Sequence, residues 1–360
     1  MDAEGEDTAF RDGYRRYTAR KLLFIACIAL GIFIVSGVAL TIGGRDIGFF
    51  QVYGIALDHL GGATYAQGSS EWWDDYIVWN IRLPRIAMAI VAGAGLAVGG
   101  AAMQAVVKNP LADPYTTGIS SGAVFGVAVA LVLGFSASSG FGGYGLVVNA
   151  FLFGLIPAGA IIFISRFSSA SPVTIILAGI ALSYLFTALS TLLLVTANTE
   201  TLQQAYLWQI GTLQGAVWSD LPLMAAATLA GSVFMMLSTK KLNLLTLGDD
   251  SAKSLGLDAE GFRMLILVAL SMMTASVIGF TGIIGFVGLV SPHIMRIFLG
   301  SDNRYILPAS AMFGALFLLA ADLASRMLIY PGEIPVGIVM SFVGGPLFLL
   351  LIITSKKGVW

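Results

Sequence analysis

The chain has 360 residues, of which 57% are hydrophobic and only 11% charged, with a mean hydropathy of +0.88. A soluble domain carries roughly 25% charged residues, so this chain cannot cover a water-facing surface. Soluble multidomain architecture, intrinsic disorder, a nucleic-acid-binding domain and a secreted disulfide scaffold are all excluded. The lone cysteine, Cys27, sits in an apolar run without an internal partner, and His59 and His293 are too few and too far apart for a metal site.

A membrane crossing needs roughly 20 apolar residues, and charge-free stretches supply these in succession. The first is Leu22 to Gly44, preceded by Arg15, Arg16, Arg20 and Lys21. Its 23-residue apolar core is too long for a signal-peptide h-region, and no A-x-A cleavage site follows. It reads as an uncleaved span with Cys27 facing lipid or packing. Residues 45–79 form the longest outer loop, in which Ile47 to Leu60 is amphipathic enough for a short interfacial helix. Trp72, Trp73 and Tyr76 then form an aromatic belt at the head of the second span.

The remaining spans are predicted at about 80–107, 115–134, 146–166, 172–196, 219–239, 263–281, 285–300, 304–325 and 336–355. A Gly/Ser-rich patch from Gly134 to Gly145 divides one over-long apolar run, and Gly279, Gly282, Gly285 and Gly288 divide another. The expected fold class is thus an all-α polytopic membrane protein of about ten transmembrane helices. Gly95 with Gly99 and Gly118 with Gly122 fit G-x-x-x-G, read as close helix packing within the subunit.

Orientation follows from the basic residues. With both termini cytoplasmic, the inner side holds fifteen of the nineteen Lys and Arg, leaving outside only Arg45, Arg82, Arg85 and Arg326. The chain then divides into a cytoplasmic tail at 1–21, a ten-span domain at 22–355 and a second cytoplasmic tail at 356–360.

Chemistry-bearing motifs are missing. There is no G-x-x-x-x-G-K-[ST], so the chain has no P-loop of its own, and no H-E-x-x-H or G-x-S-x-G. Asp322 is the main intramembrane carboxylate. An ion-coupled carrier usually keeps polar or charged groups at mid-membrane, and a channel needs a charged ring or a filter loop. The chain reads as a permease powered from elsewhere, with no catalytic residues, cofactor or metal. A stand-alone secondary transporter is the alternative.

Two loops carry information. The inner loop 240–263 contains Leu247-Gly-Asp-Asp-Ser-Ala-Lys-Ser-Leu-Gly-Leu257. Asp249 or Asp250 can cap a short helix that Gly256 ends, and Asp258 can cap a second short helix, Ala259 to Phe262. The result is a rigid knob that is either a plain connection or a dock for a cytosolic partner. On the outer side, Arg82-Leu-Pro-Arg85 heads the second span and Arg326 ends the ninth, four residues after Asp322. These arginines either snorkel to headgroups or form sockets for carboxylates.

The sequence resembles the permease subunits of type II ABC importers for iron-siderophores, haem and cobalamin. The resemblance rests on Arg82-Leu-Pro-Arg85, Gly93 to Gly122 with Gln104 and Asn109-Pro-Leu-Ala-Asp-Pro114, and Leu177-Ala-Gly-Ile-Ala181. It continues through Leu247 to Leu257, Gly285-Phe-Val-Gly-Leu-Val-Ser-Pro-His293 with Arg296, Asp322 with Arg326, and Glu333-Ile-Pro-Val-Gly337 leading to Gly344-Gly-Pro346. The match runs in order from about residue 75 to 350. Ser291 departs from the Val or Ala more frequent there.

The resemblance implies a homodimer in the cell membrane, in contact with lipid, carrying a bulky metal chelate. Two cytosolic P-loop ATPases dock beneath it and an extracytoplasmic binding protein docks on top; no nucleic acid is involved. It assigns ATPase coupling to Leu247, Gly248, Asp249, Ala252, Leu255 and Gly256, and binding-protein docking to Arg82, Arg85 and Arg326. The fifth span, about Pro172 to Thr196, is expected to line the path, through Ile175, Ala178, Leu182, Leu185 and Leu189.

Overall fold

The computed structural model describes residues 3–135, 144–167 and 171–354. The expected break between Gly134 and Gly145 falls mostly outside these residues. So do Lys356 and Lys357 of the C-terminal tail and the side chains of Arg11, Arg15 and Arg16. The described chain is helical throughout, without a named strand.

The first span lies on α1 (Ala3–Thr41), which runs without a break from the expected N-terminal tail. Cys27 is exposed on it. The outer loop folds into α2 (Phe49–Leu60) and α3 (Ser70–Tyr76). On α2, Phe50, Leu57 and Leu60 are exposed, as an interfacial helix requires. A π-helical turn (Ile77–Arg82) then leads straight into α4 (Leu83–Val107).

The spans that follow are α5 (Ile119–Leu133), α6 (Gly145–Ile164) and α7 (Pro172–Val195). A short helix that the sequence did not announce, α8 (Thr199–Gln209), returns along the outer side. Next come α9 (Leu221–Leu237), α10 (Thr239–Thr246) and α11 (Asp249–Ser254). The remaining helices are α12 (Ala259–Thr281), α13 (Val287–Leu299), α14 (Asn303–Met327) and α15 (Val336–Thr354).

Among the described residues, six helical stretches are long and apolar enough to cross a membrane, the bent pair α9–α10 makes a seventh, and α5, α13 and α15 are shorter apolar helices. All ten expected spans therefore fall on helices. The break between α12 and α13 comes at Gly282, whose φ of +68° favours glycine.

The packing is built on small residues. Lipid is as apolar as a helix flank, so close backbone approach supplies the attraction. α4 crosses α14 where a Cβ on Gly93 would overlap the Gly314 carbonyl, and it meets α13 where a Cβ on Gly100 would overlap that of Gly288. Gly95 fits against Thr228, Gly99 against Met273 and Gly122 against the Phe153 carbonyl, so both G-x-x-x-G pairs serve packing within the subunit.

Two non-helical segments and the first turn of α15 meet at the outer end. Gly211 N donates to Ile283 O at 3.1 Å, Thr212 N to Thr281 O at 2.8 Å, and Gly337 N to Gly211 O at 2.9 Å. Backbone freed from helices at membrane depth must be paired within the protein, and these segments pair one another.

Candidate functional site

The site has three parts: an outer mouth, a face lined by cavities and an inner knob.

At the mouth the arginines are buried: Arg82 is 5% exposed, Arg85 9% and Arg326 9%. Headgroup snorkelling is thereby contradicted. Arg82 donates through Nη1 to the Leu40 carbonyl, and through Nη2 to Arg45 O at 2.8 Å. Arg85 donates to Asp322 Oδ1 at 2.9 Å and to Glu333 Oε2 at 2.8 Å. Arg326 donates to Ala39 O at 3.1 Å and approaches Asp322 Oδ2 at 3.2 Å. The i,i+4 pairing of Asp322 with Arg326 was legible in the sequence; Glu333 as a second carboxylate on Arg85 was not.

These arginines, Arg45 and Glu333 line a cavity of about 540 Å³ with Trp73 at its side. The structure brings Arg82, Arg85 and Arg326 together, with internal partners already on each. Beside them, His59 Nδ1 lies 2.8 Å from Asp75 Oδ1, and its ring stacks on Trp79 at 4.1 Å. Trp218 Nε1 donates to Trp79 O at 2.7 Å, tying the outer loop to the turn before α9.

Three cavities run from the outer junction down the exposed side of α7, the lower two lined by α7 itself. The outer one, about 610 Å³, is bounded by Tyr206, Gln209, Ile283, Gly285, Ser341 and Phe342 among others. A second, about 280 Å³, shares Gln209 and Ile283 with it and adds Ser120, Ser121, Thr187, Ser190 and Thr191. The third, about 250 Å³, shares Thr187 and adds Thr116, Ile176, Ile180, Ser183 and Tyr184. Shared residues make this one descending series. No charged side chain lines it among the described residues.

The hydroxyls on α7 are mostly committed to their own helix. Ser183 donates to Gly179 O at 2.8 Å, Ser190 to Phe186 O at 2.7 Å, and Thr191 to Thr187 O at 2.9 Å. With their protons committed, these groups offer lone pairs and small dipoles.

These cavities lie on a different face of α7 from the residues expected to line the path. The cavities are lined by residues 176, 180, 183, 184, 187, 190, 191 and 194 of α7, a single helical stripe. Ile175 is fully buried in the core, Ala178, Leu182 and Leu189 are half-buried, and Leu185 is exposed. None of these five lines a cavity. Because α7 is apolar all round, periodicity could not orient it; the Ser/Thr positions were the usable signal.

The inner knob consists of α10 and α11. Gly248 rather than an aspartate stands at the N-cap of α11. Gly256 follows the helix with φ +84°, the left-handed geometry expected of a C-terminal glycine. Asp258 does cap a helix, accepting from Gly261 N at 3.1 Å, but that helix is the span α12 itself, not a second short one. Helix α10 was missed.

Leu247, Leu255 and Gly256 are exposed, and Gly248 and Asp249 are half-buried. Ala252 is fully buried and faces the core, so it supports the knob from within. Asp249 Oδ1 accepts from Lys108 Nζ at 2.6 Å and from Arg263 Nη2 at 2.8 Å. Partial burial raises its pKa, but these two cations outweigh that and hold the carboxyl below its ordinary range. Asn243 Nδ2 donates to Asp302 Oδ1 at 2.8 Å, joining α10 to the start of α14. Among the described residues, no group of three His, Cys, Asp or Glu could hold a metal ion.

Comparison with known proteins completes the picture. The chain is 38% identical over 353 residues to an ABC transporter permease protein of Methanocaldococcus jannaschii, covering 96% of this chain and 98% of that one. It is 38% identical over 281 residues to the hemin transport system permease protein of Yersinia pestis, covering 78% of this chain and 84% of the relative. A solved structure of a metal-chelate type ABC transporter in an inward-facing conformation superposes with a TM-score of 0.80 at 30% identity, covering 92% of this chain and 99% of that one. The FecCD transport family matches residues 28–354. A multi-pass membrane permease of the ABC importer type, this chain belongs to the FecCD transport family.

Proposed function

We propose that the chain carries a bulky metal chelate, such as an iron-siderophore, haem or cobalamin, inward along the cavity-lined face of α7. The observation that carries this reading is the charge-free series of three cavities joined through Gln209, Ile283 and Thr187. A large cargo with its metal enclosed in ligand needs room and weak polar contacts rather than a fixed counter-charge.

The series is open along one side, and a second copy of the chain is the natural opposite wall. The permease catalyses no covalent step. Two cytosolic ATPases dock on the exposed Leu247 and Leu255 of the inner knob, and an extracytoplasmic binding protein docks over the arginine mouth. Nucleotide-driven movement of the knob alternates access to the cavities. The names borne by the hemin permease and the metal-chelate transporter favour the chelate class.

The test is reconstitution. The permease, its ATPases and its binding protein are placed in liposomes, and uptake is measured of whatever chelate the purified binding protein retains. ATP-dependent accumulation of that chelate is the expected result. Uptake by the permease alone, driven by an ion gradient, would show a secondary carrier instead.

A further inference from the structure

One carboxylate ties the knob to two helices of the membrane domain at once. Lys108, at the end of α4, and Arg263, one turn into α12, both donate to Asp249 Oδ1, at the first residue of α11. Arg263 is fully buried and its Nε also donates to Val106 O at 3.2 Å, on the last turn of α4. Helix α11 therefore cannot move away from α4 and α12 without breaking both of these ion pairs. The partner-facing residues are different ones: Leu247 and Leu255 lie on the exposed side, while Asp249 turns toward the membrane domain.

α4 is a suitable lever. Its 25 residues reach about 37 Å at 1.5 Å per residue, from Lys108 to the outer mouth. There Arg85 is fixed to Asp322 of α14 and to Glu333. Between the two ends, backbone contact at Gly93 and Gly314 joins α4 to α14. The α10–α14 link through Asn243 and Asp302 anchors the other side of the knob to the same pair.

We propose that Asp249 is a positioning residue for energy coupling: through Lys108 and Arg263 it locks α11 to α4 and α12, so that knob movement reaches the outer mouth. This rests on the reading of the knob as the ATPase dock.

The test uses the full complex of permease, ATPases and binding protein in lipid nanodiscs. Two quantities are read: the ratio of ATP hydrolysis with and without the binding protein as purified, and the ATPase retained on tagged permease. Asp249→Asn and Lys108→Gln should each lower the ratio about fivefold or more, the scale of an ordinary coupling free energy, with ATPase still retained. Asp249→Glu, which keeps the charge, should restore much of the ratio. An unchanged ratio in both neutral variants overturns the proposal. Loss of the ATPases in those variants also overturns it, because the carboxylate would then hold the dock itself. If Asp249→Asn does not fold, Lys108→Gln decides alone, because Arg263 keeps its partner in that variant. Leu255→Asp tests the underlying reading separately: it should release the ATPases, and if they stay, the dock lies elsewhere whatever Asp249 does.

Discussion

α4 and α7 are nearly equal in length and both strongly apolar, yet α4 buries twenty of its 25 residues and α7 only four of 24. Hydropathy does not separate them, because lipid, protein interior and an uncharged path are all apolar to a similar degree. Side-chain size and hydroxyl content do. α4 carries glycine and alanine where other helices press on it; α7 carries leucine, serine and threonine along surfaces left open. One helix is packed on nearly every side, and the other is left largely open.

That contrast breaks most severely at Gly100. A Cβ there would run into the Gly288 carbonyl, a collision of main chain that no rotamer relieves. Gly100→Val should cost more than about 4 kcal/mol and leave little monodisperse permease after detergent extraction, read by size-exclusion chromatography. Gly54→Ala on α2, where a Cβ meets nothing within 4 Å, should behave as wild type. Equal yields for the two would refute the packing account of α4.

Arg85→Gln comes next. It removes one of the two cations on Asp322, which is 0% exposed, and losing one hydrogen-bonded partner of a buried charged group costs about 1–3 kcal/mol. A lowered melting temperature is expected. The double variant Arg85→Gln with Asp322→Asn should recover part of it, and no recovery would mean that the pair is not coupled.

On α7 the effect is on transport rather than folding. Thr187 joins two of the cavities, and Thr187→Arg would put a charge where hydrocarbon-like surroundings penalise one by about 3 kcal/mol. Uptake should fall roughly 100-fold with normal yield; undiminished uptake would move the path off this face. In a Cys27→Ser background, single cysteines at Tyr184, Thr187 and Thr191 should react with a polar maleimide, and one at Ile175 should not. The reverse pattern would restore the originally expected face.

The smallest effect is that of pH on the inner knob. The Asp249 carboxyl is held below its ordinary 3.8. That of Asp302 is lowered to about 2, where hydrogen bonds from Arg304 and Asn243 outweigh burial. A depressed carboxylate stabilises above its unfolded value and loses that contribution as pH falls through the folded one. ATPase retention should thus be flat from about pH 5.5 to 8. A decline inside that window would mean that some other group controls the knob.

The sequence was most readable where a local rule acts alone. Charge-free length located the ten spans, the glycines from Gly279 to Gly288 the break between α12 and α13, and Gly256 the end of α11. Reading failed where the outcome depends on what lies opposite. Asp249 looked like a helix cap, since a cap needs only its own backbone; nothing local revealed the buried Arg263 or Lys108, which are 14 and 141 residues away. The mouth arginines do lie together, but the groups that hold them come from elsewhere, Glu333 from the loop before α15 and the carbonyls of Leu40 and Ala39 from α1. For α7, a helix apolar on every side has no periodic signal to orient it.

The junction of residues 210–212, 281–283 and 337 is held by main-chain hydrogen bonds, which side-chain replacement leaves in place. Evolution can therefore substitute Ile210 or Ile283 while the hydrogen-bonded frame stays in register. It cannot as readily add or delete a residue there, because a shift of one position would misalign donors and acceptors on all the joined segments together. The side chains of this junction are open to point mutation, whereas its length is closed to change.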